Sequence, residues 1–485
     1  MPTTPPRPWR LPVLLGATIA FIALCDALLY DRPLGCGVAI VLAAATALIL
    51  VRYPWVLRLG AGRLAAALAL LMAGAQALDA GVLAPLLGGL ALMVLAGLAR
   101  SGGRREVAGL LLEGPLQALL LGTRPFLDAW LCRRWRRAHH AAPGSPAAVL
   151  RAGFIAWWLP LGCGLLFAGL FALANPVVEG WLGALWDGVR GLLDRLGVPA
   201  PVRIVVWWVA GLALWFLLRA RWAKPRADAD APPVRGVDRT ALALRALLVC
   251  NALFAAQNAL DLSYLWGGLA LPGGMTYATY AHRGAYPLMA TALLAAGFVL
   301  LWFQPGSAAQ DHPWARRLVL AWLAQNVLLL GAAAWRLHLY VDVYGLSLWR
   351  VAALVWFGLV GAGLLLIAWR IRARRANRWL VRANLLVASA VLAACALVDW
   401  GGMIAWHNVG LRRETGQGQP IDVTYLRSLG PAAGPALRCL ALREGRTDLG
   451  ERAREAASAV EYDLRADLES WPGWTLRRAL WTRTP

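Results

Sequence analysis

Residues 350–382 read RVAALVWFGLVGAGLLLIAWRIRARRANRWLVR. From 351 to 369 there is no charged residue; six arginines then fall within 370–382. A helix needs about 20 mostly apolar residues to cross the hydrocarbon of a bilayer. A run of this length ending in arginines therefore predicts a membrane span with its basic end in the cytoplasm. Similar runs recur along the chain. Eleven apolar stretches, at 11–30, 34–51, 64–80, 82–99, 150–173, 203–219, 240–260, 286–303, 318–336, 350–369 and 379–398, are long enough to be predicted as spans. Tight turns such as Asp31-Arg32-Pro33 and Asp79-Ala80-Gly81 join neighbours into antiparallel hairpins.

Arginine sets the expected orientation. With the N-terminus inside, the inner segments hold 28 basic residues: Arg7 and Arg10; Arg52, Arg58 and Arg63; and the groups at 100–151, 219–239, 316–317 and 370–382. The outer loops before the C-terminal tail hold seven: Arg32, Arg190, Arg195, Arg203, Arg283, Arg336 and Arg350. This bias follows the positive-inside rule, and an odd number of spans then leaves the C-terminus outside. The expected fold is all-α: a polytopic integral membrane bundle of about 11 helices with a small helical extracytoplasmic C-terminal domain. The expected site is an inner (cytoplasmic) membrane, with the arginine-rich ends facing the cytoplasm.

Composition agrees. The 485 residues are 60% hydrophobic and only 15% charged, whereas a soluble domain carries about a quarter charged. The net charge of +22 lies in short loops between apolar runs, so nucleic acid is not expected as a partner. The seven cysteines are scattered without metal-binding spacing and read as small core hydrophobes. No metal and no cofactor is implied. The first apolar run follows Arg7 and Arg10 but has no Ala-x-Ala cleavage site, so an uncleaved first helix is expected.

Five regions follow: a four-helix membrane region at 1–104, a basic cytoplasmic interfacial segment at 105–149, two helices with an outer amphipathic loop at 150–239, a five-helix core at 240–410, and the tail at 411–485. The Arg133-Arg134-Trp135-Arg136-Arg137 cluster suits anionic lipid headgroups. A re-entrant or extra span near 107–123 stays open. In the tail, 447–469 reads as a helix capped by Thr447 or Asp448. The apolar set Ile421, Tyr425, Leu426, Leu437 and Leu440 is too small for an independent core, so the tail is expected to dock on the membrane part.

Polar groups within the spans need partners. Gln257, Asn258, Gln325, Asn326 and Asn384 are expected to make interhelical hydrogen bonds. Ala256-Gln257-Asn258 and Ala324-Gln325-Asn326 lie 68 residues apart, a weak sign of repetition. The outer ends are richer in chemistry. Asp261, Tyr264, Tyr277, His282, Arg283, His338, Asp342 and Arg350 share one expected membrane face, as do Asp399 and His407. One reading is a cleft. Arg283 and Arg350 would bind a phosphate or carboxylate on an envelope or lipid-linked ligand, with Tyr277 and Tyr264 beside them. Asp261 or Asp342 would orient His282 or His338 for proton transfer. The other reading is a hydrogen-bonded cap that seals the helix ends.

The run from Gln257 through Asp261, with Tyr264-Leu265-Trp266, Leu271-Pro272-Gly273, Thr276-Tyr277-Ala278 and Tyr280-Ala281-His282-Arg283-Gly284, resembles a known wording. So do Tyr344-Gly345-Leu346-Ser347-Leu348-Trp349-Arg350, Asn384, Asp399, Trp406-His407-Asn408-Val409, Ile421-Asp422, Tyr425-Leu426, Gly430 and Pro435-Ala436-Leu437. Over roughly 240–440 the chain is similar to the bacterial membrane proteins of domain-of-unknown-function group 4153/4173. Where that family often has Tyr-Asn, this chain has His407-Asn408. The resemblance implies a polytopic membrane protein and no reaction. The expected function is a non-enzymatic envelope component (transporter-like, sensory or assembly). The alternative is a membrane-embedded enzyme acting on a lipid-linked or envelope substrate at the extracytoplasmic face.

Overall fold

The computed structural model describes residues 11–103, 105–111, 187, 201–219, 239–265, 312–415 and 420–482. Among the described residues the fold is helical throughout, with no strand. The helices are α1 (Leu11–Leu29), α2 (Cys36–Arg52), α3 (Gly60–Leu78), α4 (Leu83–Ser101), α5 (Pro201–Arg219), α6 (Arg239–Leu265), α7 (Pro313–Tyr344), α8 (Leu348–Arg372) and α9 (Asn377–Leu397). Then come α10 (Trp400–Thr415), α11 (Val423–Ser428), α12 (Gly434–Glu444), α13 (Asp448–Glu469) and α14 (Leu476–Trp481).

Helices α1 to α9 fall on nine of the eleven predicted apolar stretches. The other two, at 150–173 and 286–303, lie outside the described residues, as do the Arg133–Arg137 cluster and nearly all of the outer amphipathic loop. Among the described residues five helices, α3, α4, α7, α8 and α9, are long and apolar enough to cross a membrane. The apolar parts of α1, α2, α5 and α6 are shorter, at Val13–Leu29, Cys36–Arg52, Val202–Trp215 and Leu247–Ala256.

Two boundaries differ from expectation. Helix α7 runs eight residues past the predicted end at Arg336, so His338 and Asp342 stand on a helix rather than in a loop. Arg336, counted with the outer loops, is buried within α7. Leucine, alanine and tryptophan all favour or tolerate helix, and nothing breaks the run before Gly345. Helix α10 runs through residue 410, where the membrane core was expected to give way to the tail.

Alanine and glycine set the packing. Helices α1 to α5 share a core that includes Leu14, Phe21, Leu42, Ile49, Ala69, Leu95 and Leu214. Small side chains let backbones approach closely, the usual device where lipid removes the hydrophobic drive between helices. Helices α6 to α9 build a second core around Leu247, Val319, Trp322, Leu364, Ile371 and Leu380. Ala393 of α9 joins the two by packing with Met72, Ala75, Ala84 and Leu87 of α3 and α4.

Helices α6 and α7 run side by side in parallel. Asn251 donates to the Leu318 carbonyl at 3.0 Å and Asn258 to the Gln325 carbonyl at 3.3 Å, a constant offset along both helices. Gln325 donates to Asn251 Oδ1 at 3.1 Å. Asn258 and Gln325 thus bridge helices as expected. Asn326 and Asn384 instead donate to carbonyls one turn back on their own helices, at Trp322 and Leu380. The Gln257 side chain lies outside the description.

Contacts between helix ends fall into two sets. On the face assigned outside, Arg203 meets Asp26, Arg477 meets Asp79 and the Leu397 carbonyl, and Arg478 meets the Leu34 carbonyl. On the other face, the Tyr53 hydroxyl donates to the Leu218 carbonyl, Arg378 meets Glu106, and Arg316 donates to the Arg372 carbonyl.

Candidate functional site

Among the described residues, the motif residues gather most densely around the turn between α7 and α8. Gly345 ends α7 at φ 75°, ψ 177°, and its N–H donates to the Val341 carbonyl at 2.7 Å. Ser347 starts α8, its hydroxyl accepting from the Arg350 N–H at 3.4 Å. Between them, Asn408 of α10 grips Leu346 at both backbone groups. Its Oδ1 accepts from the Leu346 N–H at 2.6 Å, and its Nδ2 donates to the Leu346 carbonyl at 2.9 Å. The Leu348 N–H donates to the Tyr425 hydroxyl at 2.9 Å. Tyr425 itself is set by Asp422, whose carboxylate accepts from the Tyr425 N–H at 2.9 Å and caps α11.

Arg350 completes this turn. Its Nη1 donates to the carbonyls of Tyr344 and Gly345, and its guanidinium lies 4.5 Å from the centre of the Tyr340 ring. A cation over the last carbonyls of a helix complements the helix dipole. Asn408, Tyr425 and Arg350 are all among the residues that carry the sequence resemblance, and each holds backbone.

His338 and Asp342 face each other one turn apart on α7, with Nε2 to Oδ2 at 3.8 Å, and both side chains are largely exposed. The Trp335 ring lies beside His338 at 5.5 Å between centroids. Asp261 and Tyr264 are on the last turns of α6, but their side chains lie outside the description, as do Tyr277, His282 and Arg283 altogether. His407 precedes Asn408 on α10 and is exposed. Among the described residues no group of three histidine, cysteine or acidic side chains is placed to hold a metal.

A second polar node joins the ends of α3, α9 and α14. Arg477 lies 2.6 Å from Asp79 and also donates to the Leu397 carbonyl. Asp399, just beyond α9, accepts from the Gly402 N–H at 2.9 Å. Burial pushes the Asp399 carboxyl above its ordinary range, and the nearby Asp79 charge pushes the same way; the Gly402 hydrogen bond and Arg477 oppose. One turn before Asp79, Gln76 is fully buried and its amide has no hydrogen-bond partner among the described residues.

A third node was not anticipated. Arg203 at the start of α5 makes a two-pronged contact with Asp26 of α1, at 2.7 and 2.6 Å, and Trp207 donates to the same carboxylate at 2.7 Å. The signal was present: Asp26 is the sole charge within an otherwise apolar run, and such a charge requires a partner. Its partner could not be read, because 177 residues separate the two.

The Domain of unknown function (DUF4153) family matches residues 13–440. The chain belongs to this family. The match extends the resemblance, seen in sequence over roughly 240–440, back through α1 to α5, so the N-terminal bundle is part of the family's architecture. It also includes the turn between α7 and α8 with its ligands Asn408 and Tyr425, and it ends within α12. No curated protein and no solved structure matches this chain.

Proposed function

We propose that this DUF4153 protein is a multi-pass bacterial inner-membrane protein with eleven spans, its N-terminus in the cytoplasm and its C-terminus outside. It serves there as a non-enzymatic envelope component of the transporter-like, sensory or assembly kind. The observation that carries the non-enzymatic reading is the use made of the outer motif residues. Arg350, Asn408 and Tyr425 direct their polar groups to the backbone of residues 344–348. Groups so engaged favour a rigid outer cap that presents loops and tail, not proton transfer. The parallel run of α6 and α7 supports the span count, since it requires an odd number of crossings between them. Anionic lipid at the basic cytoplasmic segments belongs to the same proposal.

One observation favours the alternative, an enzyme acting on a lipid-linked or envelope substrate: the exposed His338–Asp342 pair stands beside this cap. In that reading Asp261, Tyr277, His282 and Arg283 join the pair in one cleft, with Tyr264 and Arg350 at its rim. A deletion strain separates the two. Under the proposal, His338→Ala restores the phenotype of the intact gene as fully as the parent, at equal membrane abundance. Loss of complementation by His338→Ala and Arg283→Ala, with abundance and melting temperature unchanged, would establish the cleft instead.

A further inference from the structure

The last helix is inside out for a surface exposed to water. In α14 the two arginines face the protein, with side chains 18% and 12% exposed at Arg477 and Arg478. The two leucines face away, with Leu476 45% and Leu480 50% exposed. A short helix on a soluble surface would turn its arginines outward and its leucines in. Just before it, Trp471 is 60% and Trp474 39% exposed.

The height of this segment is tied to the membrane helices. The Trp474 carbonyl accepts from the N–H of Cys36, the first residue of α2, at 3.0 Å. That N–H is one of the donors a helix start leaves unsatisfied. Arg478 donates to the carbonyls of Leu34 and Gly473 and pairs with Asp467 at 2.6 Å. Arg477 joins Asp79 at the end of α3 and Leu397 at the end of α9. Gly35 and Gly473 meet backbone to backbone; a Cβ on Gly35 would lie 2.6 Å from the Gly473 carbonyl. Three helix ends of one face therefore hold the segment at their own level. Leu34, just before α2, and Val398, just after α9, are exposed as well.

We propose that Trp471–Trp481 is an interfacial membrane anchor, with Trp471, Leu476 and Leu480 seated in the headgroup and upper acyl region of the outer leaflet. Tryptophan concentrates at this depth, and an apolar helix face lying in the plane enters by about 5–10 Å. The arginines serve as rivets to the bundle rather than as lipid contacts, which sets this anchor apart from a basic amphipathic helix. The inference rests on the membrane-spanning reading above.

The test uses the full-length protein in phosphatidylcholine vesicles carrying a nitroxide either shallow or deep on the acyl chain. An environment-sensitive fluorescent amino acid replaces, one at a time, Leu480, Leu365 of α8 or Ser458 of α13. Leu365 should be quenched more by the deep nitroxide, reporting the span. Leu480 should show blue-shifted emission and be quenched more by the shallow one, and Ser458 should show water-like emission with neither. Water-like emission at Leu480 with deep quenching at Leu365 overturns the anchor alone. Absence of quenching at Leu365 overturns the spanning reading. Blue-shifted emission at Leu480 that ignores both nitroxides and reverts on dilution with excess lipid would assign the face to a second copy of the chain, and also overturns the anchor.

Discussion

Gly345 lies in a backbone region that only glycine enters freely, and a Cβ there would sit 2.8 Å from Asn408 Oδ1, the atom that holds the Leu346 N–H. Gly345→Ala should therefore cost about 1–3 kcal/mol from backbone strain alone. The detergent-solubilised protein should show it as a lower melting temperature; an unchanged melt would mean that the turn is not under this constraint. Asp399 gives a prediction in pH. Its folded carboxyl is held above the ordinary 3.8, so the folded state binds that proton more tightly than the unfolded chain. Its contribution to stability then falls as pH rises from the unfolded value through the folded one. Asp399→Asn removes this term. The variant should melt higher than the parent at pH 7, with the gap closing toward pH 4; a gap independent of pH would contradict the assignment. At this scale the residue types of the outer cluster were legible in sequence, while their partners were not. Asn408 and Tyr425 reach residues 62 and 77 positions earlier in the chain, and nothing in the local pattern at either end records such a pairing.

The clamp between α1 and α5 is an element-scale feature, because it ties the first helix to one far along the chain. Asp26→Ala leaves Arg203 and Trp207 without their acceptor, and Arg203→Ala leaves the carboxylate with only the Trp207 N–H as its donor. Each single change should lower the melting temperature. The double change should lower it by less than the sum of the two, since both remove one shared contact. Additive losses would show that the pair acts only through separate packing. Most helices here were legible from length and hydropathy, because lipid requires long uncharged runs whose backbone groups are satisfied within the helix. Which helix neighbours which was not legible. A helix that is apolar all round has no single face to point at a partner, so the contacts of α1 with α5 and of α9 with α3 and α4 emerge only in three dimensions. The extension of α7 past Arg336 was missed for a related reason. Arg336, His338 and Asp342 end the hydropathic run but do not end a helix, which stops only at Gly345.

Across the whole molecule, the ends of the helices sort into two sets that never touch each other among the contacts described above. One holds Asp26, Leu34, Asp79, Arg203, Leu397 and the tail arginines; the other holds Tyr53, Glu106, Leu218, Arg316, Arg372 and Arg378. The arginine excess predicts the second set to be cytoplasmic. The Asp26–Arg203 contact adds a parity condition: the chain must cross an even number of times between α1 and α5. The proposed topology, in which α2, α3, α4 and one further crossing lie between α1 and α5, meets it, and a second further crossing would break it. The tail follows the first set. Its small core of Val423, Leu426, Leu437, Leu440, Ala453 and Val460 is completed by Ala405 and Val409 of α10. A reporter fused after Thr482 should therefore be active outside the cytoplasm, and one inserted after Gly103 should be active inside. If the C-terminal reporter works only in the cytoplasm while the reporter after Gly103 also does, the chain holds an even number of crossings beyond α4, and the eleven-span topology fails. If both reporters exchange sides, the helix pairings stand and the arginine rule has been read with the wrong sign for this protein.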